Sequence, residues 1–462
     1  MTYLDYNATT PLCQEAWEAM LPWLQPGQGG YGNPSSIHVL GRRARAAIDD
    51  ARDKWASWLQ VKSHELIFTG GGTESDNLAI IGLARRHREN LSSKSTGAAN
   101  NGVVPVLASS SINDTLSRCA PSAPCSSFNS LAPARLAPFG LPSAVDPAAA
   151  TPHVLASATF KRGSERGHHL ITAATEHHAV LHAMKFLQEH DGFEVTYLTV
   201  DHDGLVRPEV LREALRPDSI LVSIMQANNE TGTIQPIAEL AAMCRERSIL
   251  FHTDAIQSFG KMASFPKELG VDAWSIAAHK FYGPKGVGLL WLRSGTSICS
   301  IQHGGAQEGE RRPGTEDVAS IVGMTAAAEV ALRAVSEGVE APRQRALREE
   351  LWKGITALYP RALRHGSLET TLFNTLNVSF PGCDGETLLM ALDLEGICLS
   401  SGSACMVGSI QASHVLQAMH VSEEEAHTAV RFSLGRGTTQ EEIAKTLVAL
   451  ERVLARQRRA EN

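Results

Sequence analysis

Ala277-Ala278-His279-Lys280-Phe281-Tyr282-Gly283-Pro284-Lys285-Gly286 decides the reading of this chain, together with the Asp254 that stands before it. The apolar run 272–278 reads as a buried strand, and the His-Lys pair at its end places an ammonium at the rim of a core. An isolated His-Lys would be a solvated lysine, since lysine seldom stays buried. Here a second apolar strand, in Leu250-Phe251-His252-Thr253-Asp254, ends in a carboxylate. A lysine held in such a pocket loses charge stabilisation, its pKa falls, and it becomes able to form a Schiff base with an aldehyde. A Schiff-base lysine paired with an acid that can hold a pyridinium nitrogen is what pyridoxal phosphate requires of a protein.

The chain has 462 residues, 43% of them hydrophobic, enough for a large core and two domains. A formal net charge of -7 argues against a nucleic-acid binder, and the basic tail 456–459 is too short to reverse that. No apolar run approaches the length of a membrane span, and residues 1–5 carry no signal-peptide pattern. Eight scattered cysteines without paired spacings read as reduced thiols, not as a disulfide framework or a zinc site. The expectation is a cytoplasmic enzyme that binds neither DNA nor membrane.

Outward from the lysine, strands and helices alternate. Residues 3–11 form an extended arm ending at Pro11, a residue suited to a helix start; a helix follows, and the glycine-rich stretch 27–32 breaks it. A long amphipathic helix then runs to about Leu59. The strand 64–69 feeds Gly70-Gly71-Gly72-Thr73, where backbone N–H groups at a helix start can close on a phosphate; a tight turn capped by Thr73 explains the same residues. Residues 90–163, rich in Ser, Ala, Pro, Asn and Gly, fit a disordered insertion. Closing it in place of a loop of about ten residues costs only about 2 kcal/mol. Alternation resumes at 168–173 and continues to the lysine, so a mostly parallel α/β sheet wrapped by helices is expected, with ligands at the carboxyl ends of its strands. His177, Asn229, Asp254, Gln257, His279 and Lys280 all fall where a strand stops. We expect a large domain over 14–316, interrupted by the insertion, and a smaller α+β domain made of 317–462 with the arm 1–13.

A second chemical element lies in Leu399-Ser400-Ser401-Gly402-Ser403-Ala404-Cys405-Met406, a loop of small residues around one thiol. Small residues leave a thiol exposed and able to move, whereas a structural cysteine packs in a core; the loop alone is compatible with both. Further on, Val430-Arg431-Phe432 alternates as a strand that aims a guanidinium into a pocket, where its fork suits a carboxylate.

Residues 5–11, 32–38, 71–77, 175–177, 228–232, 254–258, 278–288, 311–315, 400–405 and 431–439, in this order, resemble the cysteine desulfurases of the NifS/IscS type, in the class V family of pyridoxal-phosphate enzymes. The likeness covers nearly the whole chain outside the insertion. It implies the type I transferase fold, with Lys280 as the Schiff-base lysine, Asp254 on the pyridine nitrogen, Gln257 near the phenolic oxygen and His177 stacked on the ring. It implies phosphate contacts from Gly72, Thr73 and His279, and from Thr315 across a homodimer interface. Asn229 is expected beside cofactor and substrate, Arg431 on the carboxylate of L-cysteine, and Cys405 as persulfide carrier for an acceptor or cluster-scaffold protein. No metal is expected in the resting enzyme, with Cys405 the candidate for a transient iron-sulfur ligand.

Two departures stand out besides the insertion. Ala277 replaces the serine whose hydroxyl meets the phosphate in the family, removing one hydrogen bond of about 1.5 to 3 kcal/mol. The loop 304–315 varies the usual pattern but keeps Arg312-Pro313-Gly314-Thr315. The implied reaction yields L-alanine and a Cys405 persulfide. A selenocysteine lyase would share almost every motif, a class V aminotransferase would not need Cys405, and a non-catalytic scaffold would have no use for Lys280 or Cys405.

Overall fold

The computed structural model describes residues 1–27, 29–97, 167–263, 265–401 and 412–460. The unit formed by residues 1–94 and 165–462 is built on a central seven-stranded sheet. Its spatial order is Leu66–Thr69, Gly288–Leu292, Ala273–Ala277, Leu250–Asp254, Ser219–Ser223, His169–Ala173, Glu194–Leu198. The last five run parallel to one another, and only Gly288–Leu292 pairs antiparallel with both its neighbours. The sheet is thus mixed but mostly parallel, as βα alternation demands.

Alternate residues of each strand serve opposite faces. Leu289 and Trp291 join a core with Ile48, Trp55, Leu240 and Phe281, whereas Leu290 and Leu292 join another with Leu83, Val180 and Met184. Helices therefore cover both faces. Val39–Leu59 buries Ala44, Ile48, Ala51, Trp55 and Leu59, a stripe at helical spacing. It starts where His38 Nδ1 accepts from the Gly41 N–H at 3.3 Å and stops where Gln60 turns left-handed at φ 54. The first helix begins at Gln14, beyond the proline that the sequence marks as its start, with Cys13 at the cap.

A second, three-stranded antiparallel sheet has the order Ala429–Ser433, Thr375–Ser379, Leu363–His365. Its core gathers Val378, Phe380, Leu388, Phe432, Leu450 and, from the N-terminal arm, Leu4. The arm is tied in by Thr2–Tyr3 pairing parallel with Ile397–Cys398, and by Asp5 bridging to Ser433.

Two expectations need correction. The helix Gly72–Gly97 continues past residue 90, so the change of composition there does not end it. The cause is local: residues 91–97 hold no proline or glycine before Gly97, and nothing breaks the backbone ladder. The remainder of the expected insertion, 98–163, lies outside the described residues. The helix Val318–Glu337 is also long and apolar enough by composition to cross a membrane, which contradicts the reading that no run approaches that length. Its apolar residues are spent inside: Ile321, Met324, Ala327 and Ala331 belong to the same core as Trp55 and Phe281.

Candidate active site

The strand Ala273–Ala277 ends in a single turn, Ala278–Lys280, which projects His279 and Lys280 at the carboxyl edge of the sheet. The turn is held by its own backbone: Ala278 N–H donates to Val287 O at 3.1 Å and Gly283 N–H to Ala278 O at 2.9 Å. The N-terminal arm lies against it, with Thr10 N–H donating to His279 O at 2.9 Å and Tyr282 N–H to Thr10 Oγ1 at 2.7 Å. Lys280 Nζ donates to Asn7 O at 2.6 Å and Ala8 O at 2.8 Å. Two main-chain carbonyls thus hold the ammonium, at a cavity of about 400 Å³.

That cavity brings together most of the residues singled out in the sequence: Gly72 and Thr73, His177, Asn229, Asp254 and Gln257, Ala277, His279 and Lys280, and Arg431. Gly72 begins its helix in contact with Ile256, and a Cβ there would overlap Ile256 Cδ1. The first N–H groups of that helix have no acceptor within it and, with the helix dipole, make an anion site. His177 caps the helix His178–Asp191, its Nδ1 accepting from Ala179 N–H at 3.1 Å. Burial, and then the charge of Lys280, hold the His177 imidazole down to about 4, so a neutral ring faces the cavity. His279 is likewise held down to about 4 by burial, and its Nδ1 lies 3.2 Å from Thr9 Oγ1.

Asp254 Oδ1 accepts from Ile256 N–H at 2.8 Å, and burial raises its proton affinity, against a smaller opposing effect from the Lys280 charge. Behind it, neither oxygen of Asp76 has a hydrogen-bond partner among the described residues. His252 Nε2 lies 3.6 Å from Asp76, but burial holds that imidazole down to about 3 while burial and Asp254 raise the Asp76 carboxyl. The two directions oppose an ion pair, since burial disfavours the charged form of each partner. Glu176 is raised too, again by burial first. Burial thus disfavours a negative charge on Asp76 and Glu176, and Asp254, the one of the three that lines the cavity, is the carboxyl placed to meet a cation.

At another wall, Arg431 donates from Nη1 to Asn229 O at 3.0 Å and from Nη2 to Asp5 Oδ1 at 2.7 Å. Two expected residues are not among this lining. Thr315 is exposed and does not line the cavity, and Cys405 lies outside the described residues. Conversely, the cavity includes Asn7, Ala8, Met225 and Ile256, whose side chains suggest no role in the sequence. The arm 5–11 carries one of the family motifs, but it acts on Lys280 through backbone carbonyls, which a side-chain pattern does not display.

The family described as aminotransferase class-V matches residues 2–98 and 149–446. The chain belongs to the class-V aminotransferase family. It is 41% identical over 456 residues to "Cysteine desulfurase IscS" of Dictyoglomus turgidum, covering 99% of this chain and 95% of that one. Among solved structures, a "NifS-like protein" superposes with TM-score 0.75 at 32% identity, covering 98% of this chain and all of that one. "SspA in complex with cysteine" superposes with TM-score 0.67 at 30% identity, covering 94% and 99%. The family match skips residues 99–148, inside the stretch read as an insertion. Class-V enzymes of the IscS and NifS type depend on pyridoxal phosphate, and the cavity fits that group. It offers a helix start for an anionic tail, an amine for an aldehyde, a buried acid of raised proton affinity for a ring nitrogen, and a neutral ring beside them.

Proposed function

We propose that this protein is a cysteine desulfurase, which removes the sulfur of L-cysteine and leaves L-alanine and a persulfide on Cys405. The observation that carries this is the meeting of Lys280, Asp254, neutral His177 and Arg431 around one cavity, in a chain that aligns almost end to end with a cysteine desulfurase. Pyridoxal phosphate, when bound, supplies the electron sink that makes the substrate's C–S bond cleavable.

The chain's residues divide the remaining work. Gly72, Thr73 and His279 are assigned to the phosphate, with Ala277 adding no hydroxyl. Thr315, exposed and away from its own cavity, is assigned to the phosphate of a second copy in a homodimer. Asp254 would hold the ring nitrogen's proton, Gln257 would meet the phenolic oxygen, Asn229 would stand beside the cofactor, and His177 would stack on the ring. Arg431, with Asn229, takes the substrate carboxylate through its fork. Lys280, once freed by substrate, takes the Cα proton and returns it. The Cys405 thiolate attacks the substrate sulfur: an S–S bond forms as the C–S bond breaks, the electron pair stays with carbon, and a proton completes L-alanine. The persulfide then passes its outer sulfur to a thiol or to an acceptor or cluster-scaffold protein.

The division into a large domain, 14–316, and a small one, 1–13 with 317–462, belongs to the same proposal. A core of its own beneath the second sheet, separate from the two that flank the central sheet, supports it, while the helix Val318–Glu337 packs in one of those two. A reducing compartment such as the cytoplasm suits the cysteines described as free, Cys13, Cys244, Cys299, Cys383 and Cys398.

The test is to assay alanine and sulfide together from L-cysteine, for wild type and Cys405→Ser. Wild type should release both in equal amounts in the presence of a reducing thiol. The variant should retain the cofactor's visible absorbance and lose about a hundredfold or more of sulfide release, because a hydroxyl does not accept sulfane sulfur as a thiolate does. A Cys405→Ser enzyme as fast as wild type on L-cysteine would remove the persulfide step and leave an aminotransferase-like reading in its place.

A further inference from the structure

Gln257 faces the cavity at the end of the strand Leu250–Asp254, and a side-chain amide has two ends of nearly equal shape. Nothing in glutamine itself decides whether its oxygen or its NH2 is presented to a ligand. In this structure the choice is made from outside. Lys261 Nζ donates to Gln257 Oε1 at 2.9 Å and to the main-chain oxygen of the same residue at 3.0 Å. An ammonium has donors and no acceptor, so it can face only the oxygen end. The other end is fixed to match: Gln257 Nε2 donates to Asn7 O at 2.9 Å, the carbonyl that also accepts from Lys280.

We propose that Lys261 is a positioning residue that sets the hand of the Gln257 amide, so that its N–H groups and not its oxygen face the cofactor. This rests on the reading of the cavity as a pyridoxal-phosphate site, in which Gln257 meets the phenolic oxygen, an acceptor that needs a donor opposite it. Lys261 is well placed for the task. It lines a second cavity of about 260 Å³, with Tyr282, Glu340, Asn374 and Arg436, and reaches Gln257 from that side without entering the first. Its position is costly to a cation, since burial and the charges of Lys280 and Arg431 push its amine down to about 7. A lysine held there against that cost, with two hydrogen bonds to one glutamine, acts on that glutamine. Without it the oxygen end loses its donor and only the Asn7 carbonyl holds the amide, so the turned form, in which a carbonyl oxygen opposes an oxygen, becomes more accessible.

The experiment is a double-mutant cycle on cofactor binding. Lys261→Met and Gln257→Leu, alone and combined, are purified without cofactor and titrated with pyridoxal phosphate, reading the dissociation constant and the position of the visible band. Gln257→Leu and Lys261→Met should each weaken binding about tenfold, one hydrogen bond to a charged oxygen, and move the band in the same direction. In the Gln257→Leu background Lys261→Met should change neither quantity, while Lys261→Arg alone, which keeps a donor, should stay close to wild type. If Lys261→Met does not fold, Lys261→Gln, which lacks the charge and the reach, takes its place. Equal losses from Lys261→Met in both backgrounds, or no loss beside a clear Gln257→Leu effect, overturn the inference and leave the cofactor site standing. A Gln257→Leu protein with unchanged affinity and band overturns the role of Gln257, and the inference with it.

Discussion

Arg431 Nη2 donates to Asp5 Oδ1 at 2.7 Å, joining the strand Ala429–Ser433 to the N-terminal arm; the side chains are 2% and 18% exposed. The arm therefore supplies the resting partner of the guanidinium that we assign to the substrate carboxylate. Breaking one side of a buried pair leaves the other charge uncompensated and costs about 3 kcal/mol or more. Asp5→Asn should accordingly lower the melting temperature, and L-cysteine, by bringing a carboxylate back to Arg431, should raise it by more in the variant than in wild type. Arg431→Met should instead abolish the shift caused by substrate and raise KM by about tenfold or more. Thermal melts with and without L-cysteine decide between this arrangement and a purely structural ion pair, for which both shifts would be alike.

Gly72 is the one glycine of the helix start whose replacement the structure opposes through a cavity residue. An added Cβ would overlap Ile256 Cδ1, the far end of a flexible side chain, and approach Ala277 Cβ at 3.4 Å. Ile256 lines the cavity and can yield only by turning within it. Gly72→Ala should thus fold, with a modest stability loss of about 1 to 3 kcal/mol, but bind pyridoxal phosphate at least about tenfold more weakly. Ile256→Val, which removes Cδ1, should restore most of that affinity in the double variant, measured by titration of the apoprotein.

Strand ends were legible because their chemistry sits in side chains. His177, Asp254, Gln257, His279 and Lys280 each follow an apolar run, and the parallel sheet gathers them at one edge. What stayed hidden acts by other means. Asn7 and Ala8 hold Lys280 with main-chain oxygens, which every residue carries, so the arm's sequence does not announce the contact. Asp76 lies one helical turn beyond Gly72, a position that in the sequence carries no sign of burial, whereas the fold turns it inward beside His252. The helix Val318–Glu337 was underrated as an apolar run because alanines and single polar residues dilute it, although its buried stripe is continuous enough to pack on Trp55 and Phe281.

The buried acids predict a pH effect whose sign is fixed by direction. Asp76 has its proton affinity raised by burial and by Asp254 and Glu176, with Ser275 opposing and neutral His252 alongside. Its folded pKa lies above the unfolded value of about 3.9, so the folded state binds the extra proton between the two. Asp76's contribution is then complete below about pH 4 and lost as pH rises through the folded value, by up to about 1.4 kcal/mol per pH unit. Asp76→Asn cannot ionise and avoids that loss. The melting temperature of the apoprotein variant minus that of wild type should rise as pH increases above about 4 and level off once pH passes the folded pKa of Asp76. A difference that does not change with pH would mean that folding leaves the Asp76 proton affinity where it stands in the unfolded chain.

Ala277 offers the converse test, a gain. It ends the strand Ala273–Ala277, is buried, and lines the cavity beside Gly72 and Thr73. The serine expected there in this family would add one hydroxyl donor toward the phosphate, and a hydrogen bond to a charged group is worth about 1.5 to 3 kcal/mol. Part of that is offset when the hydroxyl gives up water, so Ala277→Ser should tighten pyridoxal phosphate binding by about fivefold to tenfold. The gain should disappear when the added ligand is pyridoxal without its phosphate, which separates a phosphate contact from a general effect on the pocket. If Ala277→Ser leaves the phosphate ester's dissociation constant unchanged, the N–H groups of Gly72 and Thr73 already satisfy that oxygen, and the missing hydroxyl costs this protein nothing.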